Sequence, residues 1–162
     1  GVSADTDLIT LSSGEADVTG NLAVSGSVAV GSATISASYE LHVTGNVYAT
    51  GTVSSASDER FKREITPLDG RSALDIVGAL EPVTYRFRRE EFPERKFSSG
   101  EQAGFIAQRL EEILPELVTT SEDGYKAVSY DRMVVYLASA MQQQQRQIEE
   151  LRALVAKAQP IR

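Results

Sequence analysis

The chain has 162 residues, a net charge of −7 and neither cysteine nor tryptophan. The lack of cysteine excludes a disulfide framework and a thiolate metal site. The negative charge argues against a general binder of nucleic acid or of anionic membranes. No apolar run approaches the roughly 20 residues that a membrane span needs, and no signal-peptide pattern opens the chain. Gly1 is typical of an internal start, so we expect a longer parent protein.

Charge divides the chain at Ser57. Residues 1–56 contain five acidic residues and no lysine or arginine, whereas residues 57–162 contain 18 acidic and 16 basic residues. The first part is also rich in Gly, Ser, Thr, Val and Ala and poor in aromatic residues, so it cannot build a conventional core alone. We therefore predict two units, one over residues 1–56 and one over residues 57–162.

The first unit contains a repeat. "VTGNLAVSGSV" (18–28) returns 25 residues later as "VTGNVYATGTV" (43–53), with six of eleven positions identical. Each copy has a Gly-Asn turn followed by alternating β-forming residues. Short strands at fixed spacing predict a β-stalk, either a solenoid or an intertwined one, that buries its apolar positions against sister chains. A disordered linker is the alternative, but the regular Val, Leu and Ile positions argue against it.

The second unit is predicted to hold a small α+β part over 57–129 and a long helix over 130–158. In the α+β part, spacing and turn residues predict a helix at 72–80, a strand at 82–87, a charged loop at 90–102 and a helix at 104–114. A hairpin is predicted around Asp123 and Gly124. In the final helix, seven positions alternate at spacings of three and four, which is a heptad pattern interrupted by one glutamine. These positions are Val134, Leu137, Met141, Gln144, Ile148, Leu151 and Val155.

The heptad pattern has two interpretations. An amphipathic helix that packs on its own domain would explain the first turns. Beyond Gln142 little chain remains to cover the apolar positions, so we predict a coiled coil with sister chains.

Few residues in the chain can carry catalysis. His42 is the only histidine and lies in the repeat unit, so a Ser-His-Asp triad would require it to reach the other unit. The sequence has no cluster of metal ligands and no phosphate-binding glycine loop, and we predict no metal and no cofactor. "RFRREEFPERKF" interleaves Arg with Phe, as in single-stranded nucleic-acid sites, but its acidic residues favour a self-neutralised loop. The remaining candidate is a serine with a lysine as its base.

That pair lies in "SSASDERFKREI" (54–65), where Ser57 precedes Lys62 by five residues. The same letters fit a helix start with Ser57 or Asp58 as the N-cap. Residues five apart share neither a helix face nor a strand face, so the pair can meet only if the chain bends between them. Only about four in ten thousand lysines are neutral at pH 7, so a base lysine needs burial or nearby cations. Arg60 and Arg63 flank it in sequence.

"SSASDERFKREI" resembles the junction of the self-cleaving intramolecular chaperone domains that end phage tailspikes and tail fibres of the endosialidase type. The resemblance continues through "ALEPVTYRF", "GFIAQRLEEILPELV", "YKAVSYDRMVVYLASAMQQQ" and the heptads, and covers residues 54 to about 156. The stretch "YELHVTGNVYATGTVSS" is similar to the repeats that precede such domains. The resemblance implies a mixed fold, in which a trimeric β-stalk is followed by a small α+β domain and a C-terminal trimeric coiled coil.

The resemblance also implies a function. A homotrimeric chaperone would register three chains, help the stalk to fold and then release itself by cutting between Ala56 and Ser57. Ser57 would be the nucleophile, Lys62 the general base and Asp58 a residue that orients the turn. The substrate would be the chain itself, with no cofactor, nucleic acid or membrane involved.

The place of action follows from the same resemblance. The chain would act in the cytoplasm of the host cell during assembly, and the mature stalk would lie in a virion tail fibre or spike, or on a bacterial surface. The alternative is a structural or receptor-binding tip of a fibre or adhesin that never cleaves. Some relatives use a downstream histidine, and this chain has none after His42.

Overall fold

The computed structural model describes residues 19–31 and 38–158. The first 18 residues of the predicted stalk, Gly1 included, therefore lie outside the described residues, as do residues 32–37. Within the described ranges the chain forms six short strands and three α-helices. None of these helices is long and apolar enough to cross a membrane.

The described part of the predicted stalk contains one pair of strands. β1 (Val28–Val30) pairs in parallel with β2 (Leu41–Val43). These strands lie at the end of the first repeat copy and at the start of the second, not at equivalent positions of the two copies. The alternating stretch 46–53 forms no strand, and Val47, Tyr48 and Val53 are exposed. Most apolar residues of the described stalk are exposed in the single chain, and a stalk built with sister chains stays a prediction.

The α+β part begins with α1 (Gly70–Ala79), which confirms the helix predicted at 72–80. The Asp69 side chain caps it by accepting a hydrogen bond from the Ser72 N–H at 2.9 Å. β3 (Val83–Tyr85) follows and pairs antiparallel with β4 (Gln102–Gly104). β4 lies at the end of the segment predicted as a loop, because its Gln-Ala-Gly sequence carries no strand signal of its own.

The next elements follow the predicted order with one shifted boundary. α2 (Ala107–Ile113) begins three residues later than predicted, since Gly104 belongs to β4. The hairpin prediction is confirmed by the antiparallel pair of β5 (Val118–Thr120) and β6 (Lys126–Val128). Gly124 adopts a φ of +80° in the connecting turn, a conformation that favours glycine.

A small apolar core joins these elements. Leu110, Leu114 and Leu117 from α2 and the turn after it are buried with Met133, which lies just before the last helix. Partly buried side chains from α1, the hairpin and the last helix pack around them. The core therefore includes residues on both sides of the predicted internal boundary at 129.

The last helix, α3 (Val134–Ala158), packs on α1 along one face. Ala140 of α3 and Ala73 of α1 are buried at this contact. Gly70 lies so close to α3 that an added Cβ would approach Arg146 Nη2 to 2.6 Å and Gln143 Cβ to 3.2 Å. The chain's own domain thus covers one face of α3 as far as Arg146, further than the first turns predicted from sequence.

The heptad positions lie on a different face of α3. At 100° per residue, they are centred roughly a quarter of a turn away from the face that Ala140 and Gln143 present to α1. All seven predicted positions are exposed in the single chain. The helix therefore has one face that its own domain covers and a second, largely apolar face that the domain leaves open.

Candidate functional site

A single tight turn separates the two candidate catalytic residues. Asp58 is extended (φ −63°, ψ 137°) and caps a one-turn 3-10 helix, Glu59–Phe61, by accepting a hydrogen bond from the Arg60 N–H at 2.9 Å. The Phe61 and Lys62 N–H groups donate to the carbonyls of Asp58 and Glu59 at 3.1 and 2.9 Å. At Lys62 the chain is extended again (φ −116°, ψ 151°). This turn is the bend that a meeting of the two residues requires.

The turn brings the two side chains into hydrogen-bond contact. Lys62 Nζ donates to Ser57 Oγ at 2.8 Å. The helix-start interpretation also applies, since Asp58 is the N-cap and leaves the Ser57 hydroxyl to Lys62. The segment therefore forms both the N-cap, at Asp58, and the contact between Ser57 and Lys62.

Asp58 and Arg60 form a second contact around the turn. Arg60 Nε donates to Asp58 Oδ1 at 3.0 Å and Arg60 Nη2 donates to Asp58 Oδ2 at 2.7 Å. The Arg60 side chain and then its backbone N–H lower the pKa of the Asp58 carboxyl by hydrogen bonding to the charged form. Arg60 is thus paired with Asp58 and is not an uncompensated cation beside Lys62.

The site is open to solvent in the single chain. Ser57 and Lys62 are exposed and Asp58 is half-buried. Three apolar side chains next to the site are also exposed, those of Phe61, Ile65 and Leu68. The chain's own fold therefore brings the serine and the lysine together without removing them from water.

His42, the one histidine, belongs to a different environment. It lies on β2 opposite Ala29, and its ring centroid is 6.5 Å from that of Tyr39. Its Nδ1 atom is buried and has no hydrogen-bond partner within the described residues. Across residues 19–31 and 38–158, no group of three or more His, Cys, Asp or Glu side chains lies close enough to hold a metal ion.

The arginine-rich and phenylalanine-rich segment 86–97 makes contacts within the domain. Arg95 Nη2 contacts Asp123 Oδ2 of the hairpin at 2.6 Å, and its guanidinium lies 4.6 Å from the centroid of the Tyr125 ring. Phe87 and Phe97 stack with their centroids 4.2 Å apart. These contacts match a self-neutralised loop more closely than a nucleic-acid surface.

Comparison with known proteins finds a family match within the second unit. Residues 57–119 match the model of a family described as chaperone of endosialidase, whose name classes it as a peptidase. The long tail fiber protein Gp37 of Salmonella phage S16 is 30% identical over 100 residues, which are 60% of this chain and 13% of that protein. The chain thus spans only a small part of the length of this relative. The family segment begins at Ser57, the residue that Lys62 contacts. Residues 57–119 of this chain therefore match the chaperone-of-endosialidase family, and the tail-fibre relative supports an intramolecular chaperone domain of the kind found in phage tail fibres.

Proposed function

We propose that this chain is the chaperone end of a phage tail fibre or tailspike, which trimerises, folds its stalk and then cuts itself between Ala56 and Ser57. The observation that carries the proposal is the 2.8 Å contact between Lys62 Nζ and Ser57 Oγ at the first residue of the family segment. The tail-fibre relative supports a place for the finished stalk in the virion tail. Assembly in the host cytoplasm is part of the proposal.

The contact supports a definite sequence of bond changes. In its neutral form Lys62 Nζ accepts the proton of Ser57 Oγ, and Oγ attacks the carbonyl carbon of Ala56. As the bond from this carbon to the Ser57 nitrogen breaks, Lys62 returns the proton to that nitrogen, which leaves as an amine. The product is an ester between Ala56 and Ser57 Oγ. Water then opens the ester, which yields an Ala56 carboxylate and restores the Ser57 hydroxyl.

The backbone next to the scissile bond offers donors for the oxyanion that forms on Ala56. Within the described residues, the N–H groups of Asp58 and Glu59 make no hydrogen bond. They are the nearest N–H groups in sequence beyond the serine itself. Donors that are fixed before the reaction stabilise developing negative charge without reorganising.

The exposure of the pair supports a role for sister chains. A lysine that acts as a base at neutral pH must lose contact with water or lie near cations, and Lys62 is exposed while Arg60 is already paired. The open heptad face of α3 provides a surface on which three chains can associate. In this proposal the trimer covers the site, so that cutting follows assembly.

The test is an intact mass of the purified full chain together with N-terminal sequencing. Cutting yields a fragment that begins at Ser57, and Ser57→Ala and Lys62→Ala each abolish it. Ser55→Ala and Arg63→Ala are matched controls, because they change neighbouring residues of the same type outside the contact, and both should still be cut. If Ser57→Ala is processed at the same bond, the nucleophile is wrong. If the parent chain forms trimers that stay intact, the non-cleaving fibre tip replaces the proposal.

A further inference from the structure

We infer that Arg60 is a positioning residue for the cut, because its hydrogen bonds to Asp58, the Asp58–Arg60 clasp, hold the turn that brings Lys62 into contact with Ser57. The inference rests on the proposed function and adds a residue to it. Arg60 gives three hydrogen bonds to Asp58, one from its backbone N–H and two from its guanidinium, and both carboxylate oxygens of Asp58 are engaged. Two parallel bonds to one carboxylate need the planar fork of a guanidinium, which a lysine ammonium does not provide.

The turn has little else to hold it. Its backbone contributes two hydrogen bonds, and a single 3-10 turn is marginal on its own. From Ser57 to Asp69 every side chain except that of Asp58 is exposed, so packing within the single chain does not fix the conformation. The clasp joins the residue before the turn to its middle residue and thereby closes the bend.

The position of Lys62 depends on this bend. Lys62 leaves the turn in an extended conformation, and its side chain must come back to Ser57 across the three residues of the turn. Hydrogen-bond geometry is lost when the two heavy atoms separate by much more than about 3.2 Å. A displacement of about 1 Å in a reacting group lowers a rate by roughly 100-fold. Loosening of the clasp should therefore slow the cut much more than it destabilises the domain.

The stability of the domain has a separate origin. An exposed ion pair contributes little to folding, because water screens it. The buried cluster around Leu110, Leu114 and Leu117 lies in other elements. Removal of the Arg60 side chain should therefore leave melting and assembly close to those of the parent.

An electrostatic role for Arg60 predicts a different result. If its positive charge favoured the neutral form of the lysine base, then Arg60→Lys would keep the rate, and Arg60→Gln would shift the pH midpoint of cutting upward. If Arg60 positions the turn, both variants lose the fork, and both should cut about 10- to 100-fold more slowly with an unchanged midpoint. Arg63→Gln removes the same charge from a neighbour that makes no ion pair within the described residues, so it is the matched control.

The experiment measures the rate of cutting in the full-length trimer from pH 6 to pH 10, with thermal melting and oligomeric state recorded for each variant. We expect slow cutting and parent-like melting for Arg60→Lys and Arg60→Gln, and parent-like cutting for Arg63→Gln. Asp58→Asn combined with Arg60→Gln should be no slower than the slower single variant, since the two residues act as one unit. Parent-like cutting by Arg60→Lys overturns the inference and leaves the proposed function in place. An uncut parent overturns both.

Discussion

The open face of α3 leads to a quantitative prediction about assembly. Full burial of a leucine side chain stabilises by about 2 kcal/mol. Leu137 and Leu151 are 42% and 61% exposed in the single chain. Covering those fractions in a coiled coil contributes about 2 kcal/mol per chain, or about 6 kcal/mol for three chains. Replacement of both residues by glutamate should therefore lower the association constant of the trimer by at least about four orders of magnitude.

The assay follows cutting and oligomeric state in the same samples. Leu137→Glu with Leu151→Glu is compared with Gln142→Glu with Ala153→Glu, which adds the same charge at exposed positions off the heptad face. Light scattering at micromolar concentration should give a monomer for the first pair and a trimer for the second. The first pair should retain the helical content of the domain, because neither leucine belongs to the buried cluster.

The same comparison tests the timing of the cut. A lysine base that becomes desolvated only against a partner chain cannot act in the monomer, so the first pair should stay uncut while the control is processed. A folded monomer that cuts itself at the rate of the parent trimer would refute this reasoning. Ser57 would then be an ordinary nucleophile within a single chain.

Three further predictions concern the domain itself. Leu117 is 1% exposed in the core, so Leu117→Ala should lower the free energy of unfolding by about 2–5 kcal/mol in a denaturant titration. Gly104→Ala would place a methyl carbon against the Tyr130 hydroxyl, which accepts a hydrogen bond from the Phe105 N–H, and should cost about 1–3 kcal/mol in the same titration. A stability equal to that of the parent would contradict the close approach. The pKa of Asp123 is lowered from 3.8 to about 2 by hydrogen bonds from Ser121 and Arg95. Because the pKa of Asp123 is lower in the folded state than in the unfolded state, its charged form stabilises the fold above about pH 4, and this contribution is lost as the pH falls towards 2. Asp123→Asn should therefore reduce the pH dependence of the melting temperature between about pH 4 and pH 2.

The sequence predicts elements that local chemistry determines. α1 has apolar residues at helical spacing, the β5–β6 hairpin has its Asp-Gly turn, and α3 has a heptad spacing that only Gln144 interrupts. β4 was missed because Gln-Ala-Gly is a strand only through its pairing with β3, where Gly104 also leaves room for the Tyr130 ring. Such a strand depends on its tertiary context, which a propensity pattern does not contain.

The candidate site could likewise be predicted only in part from the sequence. The residue types and their order indicated Ser57, Lys62 and a capping Asp58, but periodicity gave no geometry in which the first two meet. That geometry comes from one 3-10 turn and from the ion pair between Asp58 and Arg60. Several acidic residues lie near Arg60 in sequence, and the sequence does not indicate which carboxylate it pairs with. Glu64, just after the site, adopts a φ of +54°, a left-handed conformation that its residue type does not favour and that no sequence pattern would indicate.

The stalk and the cut are connected by a last prediction. In the single chain the described stalk residues form only one pair of three-residue strands, and most of their apolar side chains are exposed. The stalk therefore has little to direct its folding without a registered trimer. Once the chaperone is removed, unfolding of the stalk cannot be reversed along the route by which it folded, and its persistence then depends on the barrier to unfolding. We expect the uncut Ser57→Ala trimer to regain its β-structure after denaturation and dilution, and the cut stalk to remain unfolded, as measured by circular dichroism. Equal recovery of the two would show that the stalk carries its own folding information and that the chaperone only accelerates its assembly.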